Sequence, residues 1–211
     1  MKNKKHFFTA VGLLVAFGLW TVLISFVDVA PIGPNGSRVG FSTINQFVHN
    51  LTNVNMTLYT ITDWLGLVPV FIGFGFAILG LVQWIKRKHI LKVDVSILIL
   101  GVFYLVVLAC YLLFEEYVIN YRPVLIAGYL EASYPSSTTM LVLCVMPTAI
   151  LQFNSRIQND ACRKILSAVI AAFIAFMVIG RLISGVHWLS DIIGGVLISA
   201  GLVTLYYAFT Q

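Results

Sequence analysis

Six long apolar stretches constrain the fold of this chain more than any other feature of its sequence. A helix needs roughly 20 apolar residues to cross the hydrocarbon core of a bilayer, and it satisfies its backbone polar groups internally, as lipid requires. Of the 211 residues, 60% are hydrophobic and 10% are charged, whereas soluble domains carry about 25% charged residues. The sequence therefore predicts an all-α, polytopic membrane protein with six transmembrane helices. We expect these spans at residues 7–27, 63–85, 95–114, 136–153, 165–180 and 191–209.

The first span follows the basic run MKNKK, as the apolar part of a signal peptide would. No small-residue cleavage site follows it, and Trp20 and Phe26 stand where such a site is expected. We therefore expect a retained helix. The chain shows no repeat of solenoid length and no low-complexity linker, so we predict a single integral membrane domain, residues 1–211.

The basic residues indicate how the spans are oriented. Ten of them fall before the first span, between the second and third, and between the fourth and fifth: Lys2, Lys4, Lys5, Lys86, Arg87, Lys88, Lys92, Arg156, Arg163 and Lys164. Only Arg38, Arg122 and Arg181 remain for the opposite side. Because Lys and Arg are enriched in cytoplasmic segments, we predict a cell-membrane protein with both termini in the cytoplasm. The net charge of +5 is then a topology signal, and we expect no nucleic-acid partner.

The connection between the first two spans, residues 28–62, is long and begins with an irregular segment rich in Pro and Gly. Over residues 41–58, apolar side chains recur at three- and four-residue intervals with Asn, Thr and Gln between them. This pattern predicts an extracytoplasmic amphipathic helix in the membrane interface. The helix either caps the bundle or guides a lipid headgroup into a site. His49 falls on its polar side, where a solvated surface histidine is expected.

Ionisable residues stand between the last two spans, in the run GRLISGVHWLSD. His187 and Asp191 are four residues apart, which on a helix places them on one face. A carboxylate there can accept the proton of one ring nitrogen and leave the other free as a base or nucleophile. Arg181 offers a planar fork suited to phosphate oxygens. The alternative is an interfacial ion pair of Arg181 with Asp191, beside a histidine at the headgroup level.

A second polar segment, NYRPVLIAGYLEASYPSSTTM, lies on the same predicted side between the third and fourth spans. It contains Arg122, and it brings Ser136, Ser137 and Thr138 to the start of the fourth helix. A helix start with free backbone N–H groups and hydroxyls binds anions. An ordinary Ser/Thr N-cap would show the same sequence pattern. Together with Arg122, Arg181 and His187, these hydroxyls favour a phosphate site.

These segments resemble the three motifs of the type-2 phosphatidic acid phosphatase superfamily, whose membrane members are six-helix enzymes acting on lipid phosphates and diphosphates. The third motif is Ser-Arg, five residues, His, three residues, Asp. Arg181, His187 and Asp191 match it, and Gly180 replaces the Ser. The resemblance covers about residues 60–205. It implies that His187 forms a phosphohistidine, that Asp191 orients it, and that no metal or other cofactor takes part.

The other two motifs match in part. In the second, Pro-Ser-Gly-His, Pro135 and Ser136 agree, but Ser137 and Thr138 replace the Gly and the His. The family uses that histidine as the acid that protonates the leaving oxygen, which a threonine cannot do near neutral pH.

The first motif is Lys, six residues, Arg-Pro. Arg122 and Pro123 match it, but Glu115 takes the place of the Lys. The resemblance implies that Arg122, Arg181, Ser136 and nearby amides, with Ser137 and Thr138 at the same helix start, hold the phosphate. Glu115 is expected to repel the phosphate unless it points away or is protonated.

Three functions are compatible with this sequence. The first is a phosphatase that acts on a lipid phosphate or polyprenyl diphosphate (undecaprenyl diphosphate, phosphatidic acid or phosphatidylglycerol phosphate) at the extracytoplasmic face. Without the motif acid it would favour diphosphates, or Glu115, Glu116 or Glu131 would supply the proton. The second is a lipid phosphotransferase, and the third is a lipid-phosphate binding or transport protein without turnover. The sequence makes no prediction of oligomeric state.

Overall fold

The computed structural model describes residues 2–210. Within this range the chain forms eight α-helices, two short 3₁₀ turns at Pro34–Gly36 and Ile90–Lys92, and no β-strand. The helices are α1 (Lys2–Phe26), α2 (Ser42–Thr52), α3 (Met56–Leu65), α4 (Leu67–Arg87), α5 (Val95–Glu116), α6 (Ser137–Arg156), α7 (Asp160–Ile183) and α8 (Leu189–Thr210).

The six apolar stretches all fold as helices. Among the described residues, six helical segments are long and apolar enough to cross a membrane, and each overlaps one of the spans expected from the sequence. The fourth and fifth spans are longer than their apolar runs, because α6 and α7 extend to 20 and 24 residues. The all-α, six-span fold is thereby confirmed. Met1 and Gln211, the ends of the predicted single domain, lie outside the described residues.

The prediction of one continuous helix over residues 41–58 is wrong, because the helix is interrupted at Asn53. Asn53 has a φ of 53° and a ψ of −172°, a conformation that residues other than glycine rarely adopt. Asn55 then caps a new helix, its side chain accepting a hydrogen bond from the Leu58 amide at 2.9 Å. As a result α3 and α4 adjoin at Gly66, and the second span begins at Met56 rather than at residue 63.

Helix α2 turns its polar side toward the bundle and its apolar side outward. Asn45 is fully buried; its amide donates to the carbonyl of Gly40 and to Ser190 Oγ, both at 2.8 Å, and its oxygen accepts from the Ser190 amide. Phe47 and Leu51 are exposed on the other side, as in a helix lying in the membrane interface. These contacts place α2 over the start of α8. They favour a helix that caps the bundle over one that guides a lipid headgroup into a site.

The expectation for His49 is wrong. Its ring lies 5.4 Å from that of Trp188, centroid to centroid, and the side chain is half-buried. Burial consequently lowers the pKa of His49.

Helices α6 and α8 form the centre of the bundle. Half of the membrane-crossing part of each is buried, compared with between a tenth and a quarter in the other four spans. Met140 and Cys144 of α6 pack with Ile198 and Leu202 of α8, while the opposite side of α6 packs against α7. The segments that lead into these two central helices therefore meet at the bundle end where α6 and α8 begin.

The other end of the bundle carries most of the basic residues and is held by a polar cluster. Asp94, just before α5, pairs with Arg87 at 2.9 Å and with Arg156 at 3.4 Å. A hydrogen bond from Gln83 is the main reason that the pKa of Asp94 is lowered. Helices α1 and α8 also meet here, because the rings of His6 and Tyr207 lie 4.9 Å apart.

Candidate active site

Three segments that are distant in sequence meet at the end of the bundle where α6 and α8 begin. The α5–α6 connection contributes Arg122 and the residues preceding α6, the last turn of α7 contributes Arg181, and the α7–α8 turn contributes His187. Asp191 follows in the first turn of α8. All four side chains are buried, with Arg181 at 1% and His187 at 3% exposure. Burial of a charged group is energetically unfavourable unless neighbouring groups compensate its charge.

Two glycines allow α3 and the segment after α2 to pass close to the end of α7 and the α7–α8 turn. Gly185 has a φ of +67°, and a Cβ added to it would lie 2.0 Å from the carbonyl oxygen of Asn53. A Cβ added to Gly180 would lie 2.8 Å from Cγ2 of Thr62. The close passage of α3 thus explains why Gly180 stands where the motif has a serine. Trp188, which donates to the Tyr121 carbonyl at 2.8 Å, fastens the turn to the α5–α6 connection.

His187 is joined to Asp191 through a serine that the sequence argument missed. The Nδ1 atom of His187 lies 3.0 Å from Ser133 Oγ, and Ser133 Oγ donates to Asp191 Oδ2 at 2.5 Å. The predicted direct hydrogen bond is therefore wrong. It assumed that positions 187 and 191 share one helix face, but α8 begins only at Leu189, so His187 lies in the turn.

Two further donors hold the Asp191 carboxylate. Asn120 Nδ2 donates to Oδ1 at 3.1 Å, and the Trp188 amide donates to Oδ2 at 2.9 Å. Asn120 is 1% exposed and was also missed, although it stands two residues before Arg122 in the run quoted for the first motif. With Ser133, these donors compensate a carboxylate that has no exposure to solvent.

The other ring nitrogen of His187 faces an arginine. Nη2 of Arg181 lies 3.2 Å from His187 Nε2, and because a guanidinium can only donate, Nε2 accepts and carries no proton. Burial, followed by the positive charges of Arg122 and Arg181, holds the pKa of His187 well below its usual range, against a smaller opposing effect of the Ser133 backbone. His187 is therefore a neutral imidazole whose free electron pair points at a cation.

Arg122 and Arg181 converge on the ring of Tyr59 from α3. Their guanidinium carbons lie 5.8 Å and 4.9 Å from the ring centroid, within the range of cation–π attraction. Each arginine also has an acidic neighbour. Arg122 Nε lies 3.1 Å from a carboxylate oxygen of Glu131, and Arg181 Nη1 lies 3.6 Å from one of Asp63. The alternative considered from the sequence, an ion pair of Arg181 with Asp191, is not formed, and Arg181 pairs with Asp63 instead.

The start of α6 lies against this cluster. The Ser136 amide donates to the Asp191 carbonyl at 3.1 Å, and Ser136 Oγ is fully buried with no hydrogen-bond partner among residues 2–210. Ser137 and Thr138 form the first turn of the helix and are half-buried, so their amides belong to the unpaired N–H groups of a helix start. The methyl group of Thr138 lies beside Gly66.

The three glutamates proposed as substitute acids lie in different places. Glu131 reaches the cluster through Arg122. Glu115 is exposed and lines a narrow recess together with Ser133 and Ser137. Glu116 is exposed and makes no ion pair within the described part of the chain. Asp63 joins Glu131 as a carboxylate beside the arginines.

Comparison with known proteins gives two matches. The sequence model of the PAP2 superfamily matches residues 97–211, more than half of the chain. The solved structure of a transmembrane PAP2-type phosphatidylglycerolphosphate phosphatase from Bacillus subtilis has a similar fold, with a TM-score of 0.63 and 18% identity over 95% of this chain and 94% of that one. Comparison with curated proteins gives no match.

Proposed function

The chain belongs to the PAP2 superfamily, and on this premise we propose that it is a membrane phosphatase that hydrolyses lipid phosphates or lipid diphosphates through a phosphohistidine on His187. The observation that carries the proposal is the contact of His187 Nε2 with Arg181, 3.2 Å apart. It joins an unprotonated imidazole nitrogen to a cation suited to phosphate oxygens. The fold match to a membrane phosphatase supports the same activity.

The reaction has two steps. In the first, the Nε2 electron pair of His187 forms a bond to phosphorus, the bond from phosphorus to the lipid oxygen breaks, and its electron pair leaves with that oxygen. In the second, a water oxygen bonds to phosphorus and the N–P bond breaks. Its electron pair returns to Nε2, inorganic phosphate departs, and the proton of the water passes to solvent. No step requires a metal ion or another cofactor.

The phosphate oxygens are bound by the cations around His187 and by the start of α6. Arg181 would move from Nε2 to a phosphate oxygen as the substrate enters, and Arg122 would supply a second cation. Ser136 Oγ, which has no hydrogen-bond partner in the described part of the chain, and the amides of Ser137 and Thr138 at the helix start would complete the phosphate-binding site. Fixed donors of this kind supply most of the catalysis in phosphoryl transfer. Tyr59 and the carboxylates of Glu131 and Asp63 must move away from the arginines when the phosphate binds.

The substrate class follows from the leaving group. Thr138 cannot protonate an alkoxide, so hydrolysis of a phosphate monoester is slow unless another acid acts. When a lipid diphosphate is cleaved, a lipid phosphate leaves instead, and such a group, with a second pKa near 6, needs little help. We therefore expect undecaprenyl diphosphate to be hydrolysed faster than phosphatidic acid or phosphatidylglycerol phosphate.

Replacing Thr138 by His is expected to restore the missing acid. A positioned general acid contributes about 10²- to 10⁴-fold, so we expect turnover of phosphatidic acid to rise by at least ~10-fold while diphosphate turnover changes little. Phosphate release from both lipids by the purified variant measures this. Thr138→Val, which keeps the shape of the side chain and lacks a proton donor, is the matched control and should show no gain.

Two results would contradict the expected preference for lipid diphosphates. If Thr138→His changes both substrates by the same factor, the missing acid does not set the preference. If the unmodified protein hydrolyses monoesters as fast as diphosphates, another acid is at work. Glu131→Gln and Asp63→Asn then identify it, since only the loss of that acid would remove monoester turnover selectively.

The site is proposed to face the extracytoplasmic side. The basic residues collected at the opposite end of the bundle support this orientation, with both termini in the cytoplasm. Cys162, exposed at the start of α7, offers a test. A membrane-impermeant maleimide is expected to label it only after cells are permeabilised. In a Cys162→Ser background, Arg38→Cys should be labelled in intact cells. The reverse pattern would invert the topology.

A further inference from the structure

Ser133 occupies the space between the two side chains that the third motif pairs. It lies in the α5–α6 connection, is 2% exposed, and contacts His187 Nδ1 at 3.0 Å and Asp191 Oδ2 at 2.5 Å. We propose that Ser133 is a positioning residue that joins His187 to Asp191 and holds the imidazole in the tautomer required for attack. This inference rests on the proposed function of His187.

The direction of each hydrogen bond in the series His187–Ser133–Asp191 follows from the groups at its two ends. An ionised Asp191 carboxylate can only accept, so the single hydroxyl proton of Ser133 points to Oδ2. Ser133 Oγ must then accept the hydrogen bond from His187, which places a proton on Nδ1. At the other side of the ring, Arg181 can only donate to Nε2. Both ends therefore select one tautomer, with the proton on Nδ1 and the electron pair on Nε2.

The chain holds Ser133 rigidly in this position. Its amide donates to the Asn120 carbonyl at 2.9 Å. The next residue, Tyr134, is 1% exposed, stacks on the ring of Phe17, and shares a 2.7 Å hydrogen bond with Thr21 of α1. Since the Ser136 amide also bonds to the carbonyl of Asp191, the segment is fixed on both sides of the hydroxyl. It therefore does not depend on bound substrate for its orientation.

Ser133 would matter most when His187 becomes positively charged. Formation of the N–P bond turns the imidazole into an imidazolium that keeps its Nδ1 proton. A hydroxyl that already donates to a carboxylate is a better acceptor, because hydrogen bonds in a chain polarise one another. The negative charge of Asp191 thus stabilises the imidazolium through Ser133. No proton has to be transferred along these hydrogen bonds.

Ser133→Ala is the first test. It removes the acceptor of the Nδ1 proton and one of the three donors to the Asp191 carboxylate, so we expect kcat to fall about 10- to 100-fold with KM for the lipid changed by less than about threefold. Ser133→Thr keeps the hydroxyl and should recover most of the loss. Ser199→Ala is the matched control, since Ser199 is also fully buried but bonds to the Met140 carbonyl inside the bundle. It should retain full activity.

The tautomer can be observed without any turnover. In protein labelled with nitrogen-15 histidine, the His187 signals are those absent from His187→Asn among the four histidines. We expect a protonated Nδ1 and an unprotonated Nε2 in the unmodified protein, and a mixture of tautomers in Ser133→Ala. A proton on Nε2 in the unmodified protein, or signals unchanged by Ser133→Ala, would overturn the inference. So would full activity of Ser133→Ala. A protein that shows the expected tautomer but releases no phosphate would instead count against the proposed function.

Discussion

Replacing His187 by Ala is expected to abolish phosphate release from every lipid substrate, with turnover falling by at least ~10³-fold. The loss of a covalent nucleophile leaves only the residual catalysis of the surrounding binding groups. His187 Nε2 is the unprotonated nitrogen that faces Arg181 at 3.2 Å, and a water in the space left by the ring would lack its fixed position. Release of inorganic phosphate by purified protein in detergent measures the effect.

His89→Ala is the matched control for this prediction. His89 is exposed in the turn between α4 and α5, where its side chain accepts a hydrogen bond from the Leu91 amide, and its loss should leave activity unchanged. The thermal unfolding midpoint of each variant separates loss of chemistry from loss of fold. Activity that survives in a folded His187→Ala protein would contradict the phosphohistidine route.

Arg181→Lys is expected to lower kcat/KM by at least ~10²-fold, the second largest effect. A lysine keeps the charge but offers a point charge in place of a planar fork, and loss of a single fixed donor to a developing oxyanion typically costs about 10²- to 10³-fold. Arg181 contacts His187 Nε2 through one nitrogen and Thr62 through another. A shorter ammonium cannot reach both positions.

Arg38→Lys is the control for Arg181→Lys, because Arg38 is exposed in the connection between α1 and α2. It should retain the activity of the unmodified protein. Initial rates over a range of lipid concentrations in mixed micelles measure kcat/KM for both variants. If Arg181→Lys is as active as Arg38→Lys, the guanidinium does not bind the transferring phosphate, and Arg122 with the α6 start must do so alone.

The fold was predictable because its strongest determinant is local. Each span is set by a run of apolar residues long enough to cross a bilayer, and hydropathy detects such runs without knowledge of their neighbours. The large boundary error, at the second span, arose at Asn53 and Asn55. There a positive φ and an N-cap interrupt a pattern that remains periodic in sequence. Periodicity describes side chains and does not register a break in the backbone.

The site was predictable only where residue spacing carries the chemistry. The third motif correctly brought Arg181, His187 and Asp191 together, and the family match confirms the resemblance on which their roles were assigned. Ser133 and Asn120 were missed because their function depends on the path of the α5–α6 connection. Asp63 and Tyr59 were missed for a similar reason, since they reach the arginines only because α3 packs against α7.

The most direct test of the central claim is to follow the terminal phosphate of radiolabelled undecaprenyl diphosphate, with phosphatidic acid and phosphatidylglycerol phosphate for comparison. We predict release of inorganic phosphate in water alone, with label trapped transiently on His187 as an acid-labile, base-stable adduct that is absent from His187→Ala. Release that requires an added lipid or sugar acceptor would indicate a phosphotransferase. Binding of these lipids that survives His187→Ala, with no release from any of them, would contradict the account and indicate a lipid-phosphate binding or transport protein.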